Sequence, residues 1–543
     1  MWPGKDKFLV VPKDDAGKPV WVERDHPAAS EVRLSDFTGA VGDVPEDPHG
    51  ANLLFIGDSL DVLRILCEVP EYRSHYRGKI RLVYIDPPFN TGQAFEHYDD
   101  WMEHSTWLSF MRERLLQIRD LLAPDGSVWV HLDDAEQHRM RLLLDEVFGP
   151  ANFVATVIWE KADSPRNSAR QFSTDQDYVL VYSRDPDWSP NRLPRTAESD
   201  SIYTNPDDDP RGPWLPGDPY ANKPYSKGLY TKTGPTGRAF TPPPGRYWRI
   251  SEEKLDELDA DGRIWWGPTG NARPSIKRYL SEVADLVPRT IWSKGDVGSN
   301  RTSKNEMRAI FTGVSSFATP KPERFMERVL RIGSNPGDIV LDCFAGSGTT
   351  AAVAHKMNRR WVTAELSTST VEQFTLPRLA KVVHGEDPGG ITKSVEWEGG
   401  GGFRTVTVGP SMYEDTPFGV LLAEWATNGR FARAVAGQLG FEFQEDAAPL
   451  CGVRGRMRLA VIDGAVGPEE IRQIVGALGE KERVTVVAKS VLAEAEATMK
   501  EISPGSRIRK APRDLLTSGA ERMRRRTEVG TRYTHESTEG PQS

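Results

Sequence analysis

The run Asp338-Ile-Val-Leu-Asp-Cys-Phe-Ala-Gly-Ser-Gly-Thr-Thr-Ala-Ala-Val-Ala-His355 does most to fix what this chain folds into. It reads as a short buried strand, a turn with two glycines, and a helix. Gly346 and Gly348 let backbone approach a ligand closely, and the helix start offers free N–H groups. The spacing Gly346-x-Gly348-x-x-Ala351 fits a dinucleotide fingerprint. The next strand, Trp361-Val-Thr-Ala-Glu365, ends in a carboxylate suited to ribose hydroxyls, at the expected distance of ~20 residues. An α/β chain with a nucleoside-bearing cofactor follows, but the fingerprint does not say which cofactor.

A second stretch, Leu82-Val-Tyr-Ile-Asp-Pro-Pro-Phe-Asn90, narrows the chemistry. Four apolar residues form a strand that runs into a carboxylate, two prolines and a ring. Each proline fixes its own φ and restricts the residue before it, so Asp86 and Phe89 sit on a stiff turn. At the C-terminal end of a strand, such a turn is where open α/β sheets bind ligands. A planar base with an exocyclic amine suits it. Asp86 and the Pro87 carbonyl accept the amine's N–H groups, and Phe89 offers a stacking face. Two acceptors localise the amine lone pair and stabilise the positive charge that develops as it attacks. The plain alternative is a proline-rich loop with a solvated Asp.

Taken together, these pieces resemble the β group of amino-methylating DNA methyltransferases, in which the Asp-Pro-Pro-aromatic turn precedes the Phe-x-Gly-x-Gly loop. That order is a circular permutation of the commoner one. More closely, the chain is similar to the modification subunits of type III restriction–modification systems. The matching segments are Asn52 to Leu63, the Asp86 turn with Asn90-Thr91-Gly92, Thr319-Pro-Lys-Pro322, Leu341 to Thr349, and the strand ending at Glu365. Cys343 stands where the family often has proline. The resemblance implies a doubly wound, Rossmann-like methyltransferase core and S-adenosyl-L-methionine as cofactor. It assigns catalysis to Asp86, Pro87, Pro88 and Phe89. Cofactor contacts fall to Asp58, Lys321, Asp342, Phe344, Ala345, Gly346, Ser347, Gly348, Thr349 and Glu365. Asp58 would meet the adenine ring, its alternative being a helix N-cap. Lys321 would lie near the methionine end, its alternative being a surface lysine.

A chain of 543 residues implies several domains. Cys67, Cys343 and Cys451 lie too far apart for a disulfide framework or a CxxC metal pair, which suits a reducing cytoplasm. No apolar run is long enough for a membrane span, and Met-Trp-Pro-Gly-Lys lacks a signal-peptide core. The net charge of −9 is awkward for a protein that must meet phosphates. Between Ala221 and Lys304, however, 15 Lys and Arg face 9 Asp and Glu, a basic patch on an acidic body.

In chain order, residues 1–50 read as a partly ordered arm. Residues 51–182 hold the catalytic half: strand Asn52–Ile56, a helix to Leu66, the Asp86 turn, and a loop to Trp101 that could close over the base. A helix Trp107–Leu122, a turn at Pro124-Asp-Gly126 and a strand Ser127–Leu132 follow. A helix Ala135–Phe148 and strands Asn152–Trp159 and Tyr178–Tyr182 complete this half. His131, Asp133, Asp134 and His138 match no metal-site spacing, so no metal is expected. Residues 183–316 lose periodicity and mix aromatics with basic residues, and the family carries its target-recognition region there. Arg273, Lys277, Arg278 and Arg301 are the candidate DNA contacts. The alternative is a loop-rich subdomain whose rings form a small core. Residues 317–385 form the cofactor half, with helices Glu323–Ile332 and Val371–Val383. Residues 386–517 read as a small α/β assembly domain, entered through a Gly399–Gly402 hairpin. Residues 518–543 read as a disordered tail.

The reading is a site-specific DNA methyltransferase acting on adenine N6 of a base flipped from duplex DNA, because the amine is out of reach inside the stack. The expected partners are a second copy of the chain and a restriction subunit. Cytosine N4 methylation uses the same geometry, though serine is the commoner first residue there. A nicotinamide-dependent oxidoreductase fits the Gly346 loop alone and leaves the Asp86 turn unexplained. A DNA-binding module without chemistry is opposed by the intact Asp86 and Gly346.

Overall fold

Leu82-Val-Tyr-Ile85 and Ile339-Val-Leu341 lack polar alternation, the mark of strands covered on both faces. Both lie at the centre of a ten-stranded sheet. The computed structural model describes residues 2–10, 19–91, 94–95, 98–99, 103–165, 169–311, 317–417, 419–517, 519 and 521. The sheet strands are, in chain order, β1 (Ser35–Gly42), β2 (Asn52–Ile56), β3 (Ile80–Ile85), β4 (Leu122–Leu132), β5 (Phe153–Glu160), β6 (Gln176–Ser183), β7 (Ile291–Trp292), β8 (Ile339–Asp342), β9 (Arg360–Glu365) and β10 (Gly402–Val408). Across the sheet they run β7-β5-β6-β4-β3-β8-β9-β2-β10-β1. The stretch from β4 to β10 is parallel throughout, while β6 and β1 run antiparallel to their inner neighbours.

Side chains alternate across this sheet with period two. Leu53, Phe55, Val83 and Ile85 enter one core with helices α1 (Ser59–Glu68), α2 (His104–Leu121) and α3 (Gln137–Phe148). The opposite face carries Leu82 and Tyr84. There Gly333, at the end of helix α5 (Glu323–Gly333), sits close enough to Leu82 that an added Cβ would lie 2.2 Å from its Cδ1. Helices α4 (Asn300–Ile310), α6 (Thr349–Lys356) and α7 (Leu376–Val383) complete the core.

Several expectations are corrected. The arm contributes β1, an eight-residue edge strand, so Ser35–Gly42 is part of the sheet. The glycine run is ordered, as expected, but makes no hairpin. Gly399, Gly400 and Gly401 at φ +103°, +114° and +67° deliver β10 between β2 and β1, inside the catalytic sheet. The helix expected over Val371–Val383 opens as a π turn, Val371–Thr375, before α7. Pro377 has no N–H to continue an α ladder, and π turns mark such sites. The expected turn at residues 124–126 is present as a bulge inside β4: Leu122 pairs with Ile80 and Ser127 with Leu82, and a Cβ on Gly126 would lie 3.1 Å from the Ala123 carbonyl oxygen.

The chain divides into two units, residues 1–190 with 289–543, and residues 191–288. The insertion is therefore shorter than 183–316: β7 and α4 return to the larger unit. The smaller unit holds a three-stranded sheet, Trp214–Gly217, Ser275–Tyr279 and Ile264–Trp265, with short two-stranded pairs and a helix Glu252–Ala260. Tyr220, Phe240, Trp248, Leu255, Ile264 and Trp266 form its core.

The second strand–helix alternation exists as a five-stranded sheet. Its central pair is Met457–Val466 and Arg483–Val491, flanked by helices Asn428–Leu439, Pro468–Gly476 and Ala493–Ile502. The arm ties it down. Leu34 enters its core, Val32 N–H donates to Gln438 Oε1 at 2.8 Å, and Arg433 pairs with Asp36 at 2.6 Å. Most of the expected tail lies outside the described residues, as does most of the loop from Gly92 to Trp101.

Candidate active site

From β3 the chain winds outward through β4, and from β8 it winds the other way through β9. The crevice at the C-terminal ends of β3 and β8 is thus the sheet's switch point, where ligands of open α/β sheets bind. The Asp86 turn leaves one strand there and the Gly346 loop leaves the other.

The turn is fastened on every side. Trp107 Nε1–H, fully buried, donates to the Pro88 carbonyl at 2.8 Å, not to the Pro87 carbonyl. Phe89 stacks on His131, centroids 5.9 Å apart at 23°. His131 is itself held between Tyr84 Oη, 2.8 Å from Nδ1, and Asp177 Oδ2, 3.3 Å from Nε2. Burial, with Lys321 nearby, lowers the His131 pKa and keeps the ring neutral. Tyr84 O–H then donates to Nδ1, and Nε2–H donates to Asp177. His131 thus serves as a platform under Phe89 rather than as a metal ligand, a role that depends on strands distant in the chain.

Lys321, expected near the methionine end of the cofactor, reaches the Asp86 turn. Its ammonium pairs with Asp86 Oδ2 and lies 5.3 Å from the Phe89 centroid. Asp86 Oδ1 is buried and has no hydrogen-bond partner among the described residues. A buried acceptor left open costs free energy, and this oxygen remains able to accept a hydrogen bond.

The loop after β8 is built from its own side chains. Asp342, 3% exposed, accepts Phe344 N–H at 3.0 Å and Thr350 O–H at 2.6 Å. Burial raises its carboxyl to about 7. Gly346 and Gly348 adopt φ +49° and +76°, where a side chain is strained. Glu365 Oε2 accepts Gly346 N–H at 2.9 Å, and Oε1 accepts Ser367 N–H at 2.9 Å. Ala345 is 7% exposed, and Ser347 and Thr349 are both buried. Arg378 Nη1–H donates to Thr349 Oγ1 at 2.7 Å, and Arg378 Nη2–H to Glu323 Oε1 at 2.9 Å. Glu323 also accepts Lys356 at 2.7 Å, and Lys356 reaches Asp387 at 2.7 Å. This buried ion network fixes the loop from behind and was not visible in the sequence, since its members are far apart in the chain.

Asp58 is an N-cap, the alternative the sequence allowed for it. It caps α1 through Leu60 N–H at 2.8 Å, and Arg114 grips both its oxygens at 3.1 and 2.9 Å. Arg114 stacks on Phe110 at 3.4 Å, and Phe110 meets Phe344 at 6.3 Å.

Of the candidate DNA contacts, Arg273 and Arg278 are exposed on the smaller unit. Lys277 is 6% exposed, with its ammonium against Asp207 and at 2.7 Å from Asp209, which makes it part of that unit's interior. Arg301 lies on α4 of the larger unit, 73% exposed, and pairs with Asp163 at 3.4 Å. Among the described residues no cluster of three metal-ligating side chains occurs, and no helix is long and apolar enough to cross a membrane.

A doubly wound sheet with an Asp-Pro-Pro-Phe turn and a glycine loop flanking its switch point defines a nucleotide-binding class in which both ligands meet over adjacent strands. The chain belongs to the N6/N4 DNA methylase family, whose profile matches residues 80–376. It is 32% identical over 292 residues to the type II methyltransferase M.EcaI of Enterobacter cloacae, covering 52% of this chain and 61% of that one. It is 30% identical over 345 residues to the StyLTI Mod subunit, a type III restriction-modification enzyme of Salmonella typhimurium, covering 58% of this chain and 51% of that one. It is 39% identical over 293 residues to the DNA adenine methyltransferase YhdJ of Escherichia coli, covering 54% and 74%. The chain thus spans only 51 to 61% of the length of the first two.

Proposed function

We propose that the protein is an S-adenosyl-L-methionine-dependent methyltransferase acting on adenine N6 in double-stranded DNA. The observation that carries this reading is Asp86 Oδ1, a buried acceptor with no partner among the described residues, beside Phe89 at the switch point. A flipped base stacks on Phe89, and its amine donates one N–H to Asp86 Oδ1 and the other to the Pro87 carbonyl. Because Lys321 neutralises Asp86 overall, the stabilisation comes from the directed oxygen lone pair rather than from net charge. Asp86 is also the carboxylate within reach of the proton that the amine gives up. The Gly346 loop, with Asp58, Asp342, Phe344, Ala345, Ser347, Thr349 and Glu365 around it, fits a nucleoside cofactor, because two left-handed glycines leave backbone rather than side chains at the surface. When bound, S-adenosyl-L-methionine supplies the methyl group on a sulfonium. Asp rather than Ser at the head of the turn favours adenine over cytosine N4.

Duplex DNA is the substrate, read through the insertion with Arg273 and Arg278 at phosphates or base edges. A second copy of the chain and a restriction subunit are the proposed partners, and the cytoplasm is the proposed compartment. Nucleoside mass spectrometry of DNA treated with the purified protein tests the reading. N6-methyladenine is the expected product. N4-methylcytosine replaces adenine by cytosine, and no methylated nucleoside with bound cofactor overturns DNA as the substrate.

A further inference from the structure

Asn90 closes the Asp86 turn with φ +61°. Asparagine tolerates that region better than other residues with a Cβ, and here a buried partner fastens its side chain. That partner is Glu136, at the N-cap of α3. Its Oε1 accepts Asn90 Nδ2–H at 2.7 Å and also hydrogen-bonds His104 Nδ1. Its Oε2 accepts Arg139 Nη1–H at 3.3 Å. The Glu136 side chain is wholly buried, whereas His104 and Arg139 reach solvent. Burying a carboxylate is unfavourable unless its oxygens are satisfied, and the donors here come from three separate places in the fold. Asn90 ends the turn and His104 begins α2, so one oxygen ties together the residues on either side of 91–103.

We propose that Glu136 is a positioning residue for methyl transfer: it holds Asn90 left-handed and thereby sets Phe89 and Asp86 against the incoming base. The inference rests on the catalytic reading of Asp86 given above. The physical link is direct. The Asn90 side chain is fastened to the α3 framework. A change in φ at Asn90 therefore displaces the residues before it, Phe89 first, and misplacement by about 1 Å costs ~10²-fold in rate. Glu136 acts on the turn through Asn90 rather than on the base itself.

The test uses the full chain with Glu136→Leu, Glu136→Gln, Asn90→Gly and the Leu/Gly double variant. Glycine adopts φ +61° freely but removes the anchoring amide. Single-turnover methylation of unmethylated genomic DNA should fall ~10²-fold in Glu136→Leu and in Asn90→Gly. S-adenosyl-L-methionine affinity should stay within about twofold, and the double variant should be no slower than the slower single one. Glutamine should restore most of the rate, because its amide oxygen accepts from both Asn90 and His104. Near-normal turnover by Asn90→Gly, or additive losses in the double variant, overturns the proposal. If Glu136→Leu does not fold, Asn90→Gly and Glu136→Gln still decide it. Crystal structures of the variants, read for φ at residue 90 and for the stacking of Phe89 on His131, separate the two readings. A turn displaced in Glu136→Leu but kept in Glu136→Gln, in a protein whose wild type methylates nothing, refutes the methyltransferase reading while Glu136 still sets the turn. An unmoved turn in Glu136→Leu refutes the role of Glu136.

Discussion

One oxygen of Asp86 is open while Lys321 holds the other, and in the proposed mechanism that division makes separable expectations. Asp86→Ala should slow methylation by ~10²–10³-fold, the usual cost of one transition-state hydrogen bond, with calorimetric cofactor affinity nearly unchanged. Near-normal turnover would remove Asp86 from the mechanism. Lys321→Met should lower the rate more than the cofactor affinity, because the ammonium sits on Asp86. The opposite split would return Lys321 to the methionine end of the cofactor. A pH dependence follows from Glu306, which burial and the neighbouring Glu323 raise from 4.5 to about 7. Between these values the folded state binds the proton more tightly than the unfolded chain does. Stability from this group therefore falls as pH rises from about 4.5 to 7. Thermal melts should show Glu306→Gln flattening that fall, and an unchanged slope would exclude Glu306 as its source. Asp86, Phe89 and Gly346 were legible because turn chemistry is written in adjacent residues. Lys321 and Glu136 were not, since what fixes them is contact with residues far along the chain.

Strands and helices of the core were legible from periods of two and 3.6, as β2, β3, β8 and α5 show. β1 was not: Ser-Asp-Phe-Thr-Gly-Ala-Val-Gly has no apolar face, because most of this edge strand stays exposed. The aromatics of the insertion read equally as a base-stacking surface or a core. Trp248 is fully buried, with Tyr230 stacked on it at 5.2 Å, so these two are core. The basic residues divide the same way. Arg273→Ala or Arg278→Ala should weaken DNA binding most at low salt, each making the slope of log affinity against log salt shallower by about 1 if it contacts a phosphate. An unchanged slope in both would move the DNA interface elsewhere. Lys277→Ala should instead lower the melting temperature, because it strands Asp209, which Lys277 and Tyr279 hold at a pKa well below the ordinary value despite burial.

For the whole molecule, the position of β10 moves the boundary at which the chain can be cut. A chain ending near Gly385 lacks a strand hydrogen-bonded along β2, and it should be insoluble without cofactor binding. One ending after Pro410 keeps the ten strands. It should bind cofactor but lose self-association and most DNA affinity, since the second sheet carries no recognisable chemistry of its own. Light scattering and melts decide: a folded dimer with full DNA affinity after the second cut excludes an assembly role for residues 411–517.

The same strand sets a timetable for biogenesis. Translation delivers β2 early, yet its neighbour β10 emerges only after residue 402, some 350 residues later. At ~5–20 residues per second, the nascent chain carries an open parallel edge for roughly 20–70 s. The catalytic sheet therefore closes only after the insertion and both ligand-binding turns have left the ribosome, and a pause in that interval leaves an aggregation-prone edge for chaperones to cover.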